Sequence, residues 1–318
     1  MKQISKLLVM AVMLSTGCGN KHVNKTDEVI VFHAGSLSVP LNQMKDAYQK
    51  KHPDVTIYLE PAGSLVCARK ITELKKPCDI MASADYFVIN ELLIPQYAKW
   101  SISFASNEIV IAYTGKSRHS AEISSTNWPE ILMRKDVIYS RSDPDADPCG
   151  YRTVLAVMLM EKLHGLAGLT ERILAKNRDF IRPKEVDLVA LMESGAIDYM
   201  FQYKSVAIQH GMKFISLPDD ANLSDPSKND IYKTVSFEVA GREPGSKIKV
   251  SGDYISYSVT VLENAPHKAA ATDFLSFILS REGMDILARN GQKPIVPAFS
   301  EQPDKVPAVF QKYLTVEK

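Results

Sequence analysis

VFHAGSLSVPL (residues 31–41) and EPAGSLVCARKI (60–71) set the reading of this chain. Each begins in or just after a run rich in β-branched and aromatic residues, breaks at Ala-Gly-Ser-Leu, and passes into a stretch with helical spacing. In the first, Leu37, Leu41, Met44 and Tyr48 recur at i, i+4, i+7 and i+11, which draws one apolar face. The same alternation continues outward. Strands are predicted at 29–34, 55–60, 79–84, 108–114, 137–140, 197–203, 214–217, 234–240 and 255–262, with amphipathic helices between several of them. Such a pattern predicts an α/β fold with mainly parallel sheets, whose ligand sites lie beyond strand ends where helices begin. The polar stretch 219–230 reads as a surface loop, and GREPGSK (241–247) as a turn.

The full chain has 318 residues, enough for two lobes with separate cores. Its 38 Lys+Arg against 37 Asp+Glu exclude a protein held to nucleic acid or anionic lipid by a basic excess. The first residues, MKQISKLLVMAVMLSTGC, read as a secretory signal: Lys2 and Lys6, an apolar run from Leu7 to Leu14, then small residues before Cys18. The LSTGC context resembles a bacterial lipoprotein signal, which implies cleavage after residue 17 and a lipidated Cys18. An incidental cysteine after an ordinary cleavage site is the alternative. The expected division is a signal at 1–17, a tether at 18–28, a discontinuous first lobe at 29–114 and 252–318, and a second lobe at 115–251. Removing the signal leaves a net charge of −1 and three other cysteines, Cys67, Cys78 and Cys149, without CxxC or zinc spacing.

Four helix starts bring polar groups to backbone N–H donors that lack partners within the helix. Two are the Ala-Gly-Ser-Leu turns, with Gly35 and Ser36 in one and Ser64 in the other. Each serine could simply cap its helix, a role worth about 0.5–2 kcal/mol. The third is DPDADPCGYR (143–152), where Asp143, Asp145 and Asp147 lead into an apolar helix. Macrodipole matching is the plain explanation, and a calcium loop is a weaker one because the EF-hand glycine and terminal glutamate are missing. Cys149 there is either a packing residue or a nucleophile whose pKa the helix start would lower. The fourth is RPKEVDL (182–188), where Glu185 reads as a first-turn carboxylate; the strand after it ends on Tyr203. Together these describe a site for a small dehydrated oxyanion held by neutral dipoles. Asp147 and Glu185 do not suit a plain dianion. They must face away, carry protons, or meet a ligand whose centre accepts carboxylate oxygen.

The motifs VFHAGSLSVPL, EPAGSLVCARKI, CDIMASADY (78–86), FASNEIVIAYT (104–114), DPDADPCGYRT (143–153), IRPKEVDLVALMESGAIDYMFQYKSVAIQH (181–210), LPDDANL (217–223) and SYSVTVLENAP (256–266) resemble one family. It is the tungstate/molybdate-binding proteins of ABC transporters, in the branch best known from archaea, within the type II periplasmic-binding-protein fold. The resemblance runs from about Val29 to Pro297. It implies a two-lobed α/β fold with mixed, mainly parallel sheets and a central cleft. Residue by residue, it implies that Gly35, Ser36 and Ser64 bind the oxyanion. Asp147-Pro148-Cys149 match the family's DPC turn, Glu185 its RPKE glutamate and Tyr203 the tyrosine before KSVA. Asp147 and Glu185 would be direct ligands of the metal, raising it from four to six oxygen neighbours. Tungsten(VI) and molybdenum(VI) are hard centres that accept carboxylate oxygen. Asp145, two residues from Asp147, could exchange roles with it. The segment between DPCGYR and RPKE is shorter than in archaeal members, which trims the second lobe.

The expectation is therefore a monomeric, exported, lipid-anchored binding protein that delivers tungstate or molybdate to the permease and ATPase of an ABC transporter. It has no cofactor, no catalytic residues and no nucleic-acid partner. The alternatives are a binding protein for sulfate or phosphate and, further off, a secreted hydrolase using Cys149 or the aspartate loop. HExxH, GxSxG and a Walker loop are all absent from the sequence.

Overall fold

In the computed structural model, which describes residues 27–241, 243 and 245–315, twelve strands form three sheets. The expected signal, the expected lipidation site Cys18 and most of the expected tether lie outside the described residues. The strands are β1 (Asp27–Ala34), β2 (Val55–Ala62), β3 (Ile80–Ser83), β4 (Ile102–Ser106), β5 (Ile109–Tyr113), β6 (Tyr139–Ser140), β7 (Tyr199–Tyr203), β8 (Lys213–Ser216), β9 (Ser236–Ala240), β10 (Lys247–Ser251), β11 (Ser256–Val261) and β12 (Lys293–Phe299). The order β12-β4-β11-β3-β1-β2 makes a six-stranded sheet, β6-β7-β5-β8 a four-stranded one, and β9 with β10 a hairpin. The tether was expected to reach residue 28, but Asp27 and Glu28 already pair with Val55 and Thr56 in β2.

Both Ala-Gly-Ser-Leu turns lead from strand to helix. β1 runs through a 3-10 turn, Gly35–Leu37, into the helix Ser38–Lys51, and β2 runs into the helix Ser64–Thr72. Leu37, Leu41, Met44 and Tyr48 are all buried, as their spacing requires, and each contributes about 1.5–3 kcal/mol by leaving water. Beneath them, Val29, Val31, Phe32, Ile80 and Met81 fill the sheet interior.

The sheets are mixed, and the balance differs from the expected one. Among the described residues three strand pairings are parallel and six antiparallel. The reason is connectivity: β11 and β12 come back from the rest of the chain and enter the six-stranded sheet against the direction of β3 and β4. The chain also leaves this sheet earlier than expected. β4 ends at Ser106, and β5 already pairs with β7 and β8 in the other sheet, so the first crossing is Asn107-Glu108 rather than a point after residue 114. The polar segment after 114 is a surface turn capped by contacts such as Arg118 to Asp198. The return path lies between Ser251 and Ser256.

Candidate functional site

The site grows from the ends of β1 and β2 on one side and from two segments that lead into helices, 143–150 and 182–187, on the other. Neither serine caps its helix. Ser36 sits inside the 3-10 turn, and its hydroxyl accepts from the Tyr257 hydroxyl at 2.9 Å. Ser64 is the first residue of its own helix, behind Gly63, and its hydroxyl accepts from Ala84 N–H at 3.1 Å. The capping explanation is thereby removed for both. Gly35 is wanted for close approach: a Cβ there would lie 2.9 Å from Val186 Cγ2 and 3.0 Å from both Glu185 carboxylate oxygens.

Glu185 precedes its helix rather than lying in the first turn, because that helix begins only at Asp187. Its carboxylate accepts the backbone N–H of Ser36 across the junction between the two sheets, and its own N–H donates to Asp147 Oδ2 at 3.1 Å. Asp147 stands at the N-cap of the helix Pro148–His164, with Pro148 in the first helical position, yet makes no side-chain cap bond. Tyr203 ends β7 with its ring centroid 5.7 Å from that of Tyr257. Ser36, Ser64, Asp147, Cys149, Glu185 and Tyr203 are all wholly buried.

Electrostatics sharpen the picture. Burial pushes the Asp147 carboxyl well above the usual carboxylate range, and the neighbouring Glu185 carboxyl pushes it further. Burial raises Glu185 as well, against the hydrogen bonds it accepts. Among the described residues, Asp147 Oδ1, Glu185 Oε2 and the Tyr203 hydroxyl have no hydrogen-bond partner, although buried polar atoms ordinarily find one. Ionised, the two carboxylates are satisfied by an electropositive centre or a donated proton; protonated, they and the Tyr203 hydroxyl are satisfied by acceptor oxygens.

The other sequence candidates separate from this cluster. Asp145 turns away: its Oδ1 accepts Ala240 N–H at 2.6 Å, and its carbonyl accepts Arg69 Nη1–H at 3.0 Å. Asp143 Oδ1 accepts Asp145 N–H, so the three aspartates serve different partners and form no calcium loop. No cluster of three metal-ligating side chains exists among the described residues. Burial raises the Cys149 thiol well above its ordinary value, the opposite of what an activated nucleophile needs, and the thiol points to Gln202 Oε1.

Sequence reasoning missed Tyr257, Asn107, Gln202, Gln292 and Ser205. Gln202 Nε2 donates to the Glu185 carbonyl at 2.9 Å, and Gln292 Nε2 to the Ser36 carbonyl at 2.9 Å, so each braces one half of the site. The available signal was Ser256-Tyr257-Ser258 in a strand that continues Val-Thr-Val, all three fully buried.

Two further contacts join the halves. Arg152, on the helix Pro148–His164, makes a buried ion pair with Asp85, the N-cap of the helix Tyr86–Leu92, and donates to the Asp253 carbonyl at 2.8 Å. At the rim, Arg69 donates to the carbonyls of Asp145 and Ala240.

Residues 29–293 match the family model for bacterial extracellular solute-binding proteins. An uncharacterized solute-binding protein of Petrotoga mobilis is 43% identical over 318 residues, covering 99% of this chain and 98% of that one. The molybdate/tungstate-binding protein WtpA of Pyrococcus abyssi is 39% identical over 342 residues, covering 98% of each. Among solved structures, the periplasmic molybdate-binding protein of Azotobacter vinelandii superposes with a TM-score of 0.62 at 15% identity, over 83% of this chain and 98% of that one, which establishes a shared fold. A strand-turn-helix site at the junction of two sheets, a model match over most of the length, and full-length relatives agree: the chain belongs to the bacterial extracellular solute-binding protein family.

Proposed function

We propose that this protein captures tungstate or molybdate outside the cytoplasm and delivers it to an ABC permease, without catalysing a reaction. The observation that carries the reading is the buried pair Asp147 and Glu185, each with an unpartnered carboxylate oxygen, beside the unpartnered Tyr203 hydroxyl. A tetrahedral oxometalate offers oxygens to Tyr203, Ser36 and Ser64, while its hard, expandable metal accepts the two carboxylates. Sulfur and phosphorus in their tetrahedral anions do not expand in this way. The relative from Pyrococcus abyssi, whose name assigns it these anions, supports the choice.

Recognition is a closure of two lobes, one carrying Ser36 and Ser64, the other Asp147, Pro148, Cys149, Glu185 and Tyr203. Cys149 packs the turn and binds through its backbone at most. The mature chain is a monomer anchored by a lipid on Cys18, and the permease and its ATPase are its partners.

Titration of the purified protein with tungstate, molybdate, sulfate and phosphate tests the reading. Tight binding of the first two is expected, with six oxygen neighbours around the metal by X-ray absorption. Four neighbours, or equal affinity for sulfate, would overturn the coordination account. The pair Asp147→Asn with Glu185→Gln should reduce the preference for tungstate over sulfate more than it reduces binding of anions in general.

A further inference from the structure

A chain of buried hydrogen bonds reaches Ser36 from the first crossing between the sheets, and its polarity is forced. Asn107 Oδ1 accepts two backbone N–H groups, of Glu108 at 3.0 Å and Ser205 at 3.3 Å. Backbone N–H can only donate, so the amide oxygen must face them and the NH2 must face the other way. That NH2 donates to Ser205 Oγ at 2.8 Å and to the Tyr257 hydroxyl at 3.0 Å. Having accepted from Asn107, Tyr257 directs its single proton to Ser36 Oγ at 2.9 Å. Ser36 Oγ then accepts from Tyr257, and its own proton points away from Tyr257, on the side where the Glu185 carboxylate lies. Asn107, Ser205, Tyr257 and Ser36 are all buried, so water does not scramble the order. Burial holds the Tyr257 hydroxyl well above its ordinary value, which keeps the proton in place.

From this we infer that Asn107 and Tyr257 are positioning residues that orient the Ser36 hydroxyl as a donor toward the bound anion. The relay begins at Ser205, two residues beyond Tyr203 on the other half of the site, and at the crossing residue Asn107 itself. For the choice of anion this inference rests on the oxometalate reading above; the polarity of the relay does not.

The two are tested separately. A neutron map of the deuterated protein should show deuterium on Tyr257 Oη between Tyr257 and Ser36. Deuterium on Ser36 Oγ directed at Tyr257 overturns the relay whatever ligand the protein takes. A double-mutant cycle with tungstate measures its effect: Tyr257→Phe should weaken binding about tenfold in the native background and leave it unchanged in the Ser36→Ala background. Equal losses in both backgrounds would assign Tyr257 a packing role against Tyr203 and overturn the inference. Asn107→Ala, which cuts the chain upstream and leaves both hydroxyls, gives the same cycle should Tyr257→Phe fail to fold. A native protein that ignores tungstate would overturn the oxometalate reading, and the neutron map would still decide the relay.

Discussion

Asp147 and Glu185 hold their protons to higher pH when folded than when unfolded, since burial disfavours charge on both and the Glu185 carboxyl disfavours it further on Asp147. Unfolded, both carboxyls titrate at about 4. In the window above that, the folded state binds more protons, so stability falls as pH rises through it. His33 acts in the opposite sense. Burial lowers it from 6.5 to about 4, so its contribution is complete above 6.5 and is lost as pH falls toward 4. The melting temperature of ligand-free protein between pH 6.5 and about pH 8.5 isolates the carboxyls from His33. It should fall more steeply with pH in the native protein than in Asp147→Asn with Glu185→Gln. Parallel curves would mean that the two carboxyls are already ionised in the unliganded fold. At this scale the residue types of the candidate site were legible, but their partners were not. A serine after Ala-Gly looks like a cap in any sequence; only Tyr257 and Ala84, distant in the chain, show that Ser36 and Ser64 are committed elsewhere.

Nine of the twelve strands follow from β-branched runs, and the three that do not have physical explanations. β12, KPIVPAF, carries two prolines that cannot donate to a ladder, and it lies at the edge of the six-stranded sheet, where that is tolerated. β10 alternates lysines with Ile248 and Val250 next to a glycine turn, so charge hides a short hairpin strand. β4 is separated from β5 by two residues and merges with it in the sequence pattern, although the two join different sheets. The hairpin of β9 and β10 has a function of its own: Ala240 at its end holds Asp145 and accepts from Arg69 of the helix Ser64–Thr72. Arg69 reaches two carbonyls with one planar fork, which methionine cannot do. In stopped-flow release experiments Arg69→Met should speed loss of tungstate about three- to tenfold, the effect of two partly exposed hydrogen bonds. An unchanged release rate would show that the rim clamp does not limit opening.

The proposed closure belongs to the scale of the whole molecule, and Gly63 is the position that tests it. Its φ of −59° and ψ of 141° suit alanine, so the substitution is compatible with the strand-to-helix turn itself. A Cβ there, however, would lie 2.3 Å from the Ala146 carbonyl oxygen and 2.9 Å from that of Pro183, both backbone atoms of the opposite half. Backbone cannot yield as a side chain does, so Gly63→Ala penalises the closed arrangement alone. It should weaken tungstate binding about tenfold to a hundredfold and abolish ligand-induced compaction in small-angle scattering, with little change in the melting temperature of ligand-free protein. Native-like compaction in the variant would refute the closure mechanism. The same change at Gly35 meets the Val186 and Glu185 side chains instead and should cost less. The buried pair of Asp85 and Arg152 also belongs to this scale, because its members sit on helices from the two halves and neither charge is solvated alone.

By itself the sequence determined the α/β class, the strand-to-helix turns and the residue types of the candidate site, because these depend on periodicity and on chemistry local to a few positions. Only the tertiary structure decided the mixed strand directions, the crossing at Asn107-Glu108, the separation of Asp145 from Asp147, and the relay through Tyr257. Each of these is a pairing between residues far apart in the chain, and a hydrogen bond's partner is chosen by where the fold brings donor and acceptor together, which no local pattern records.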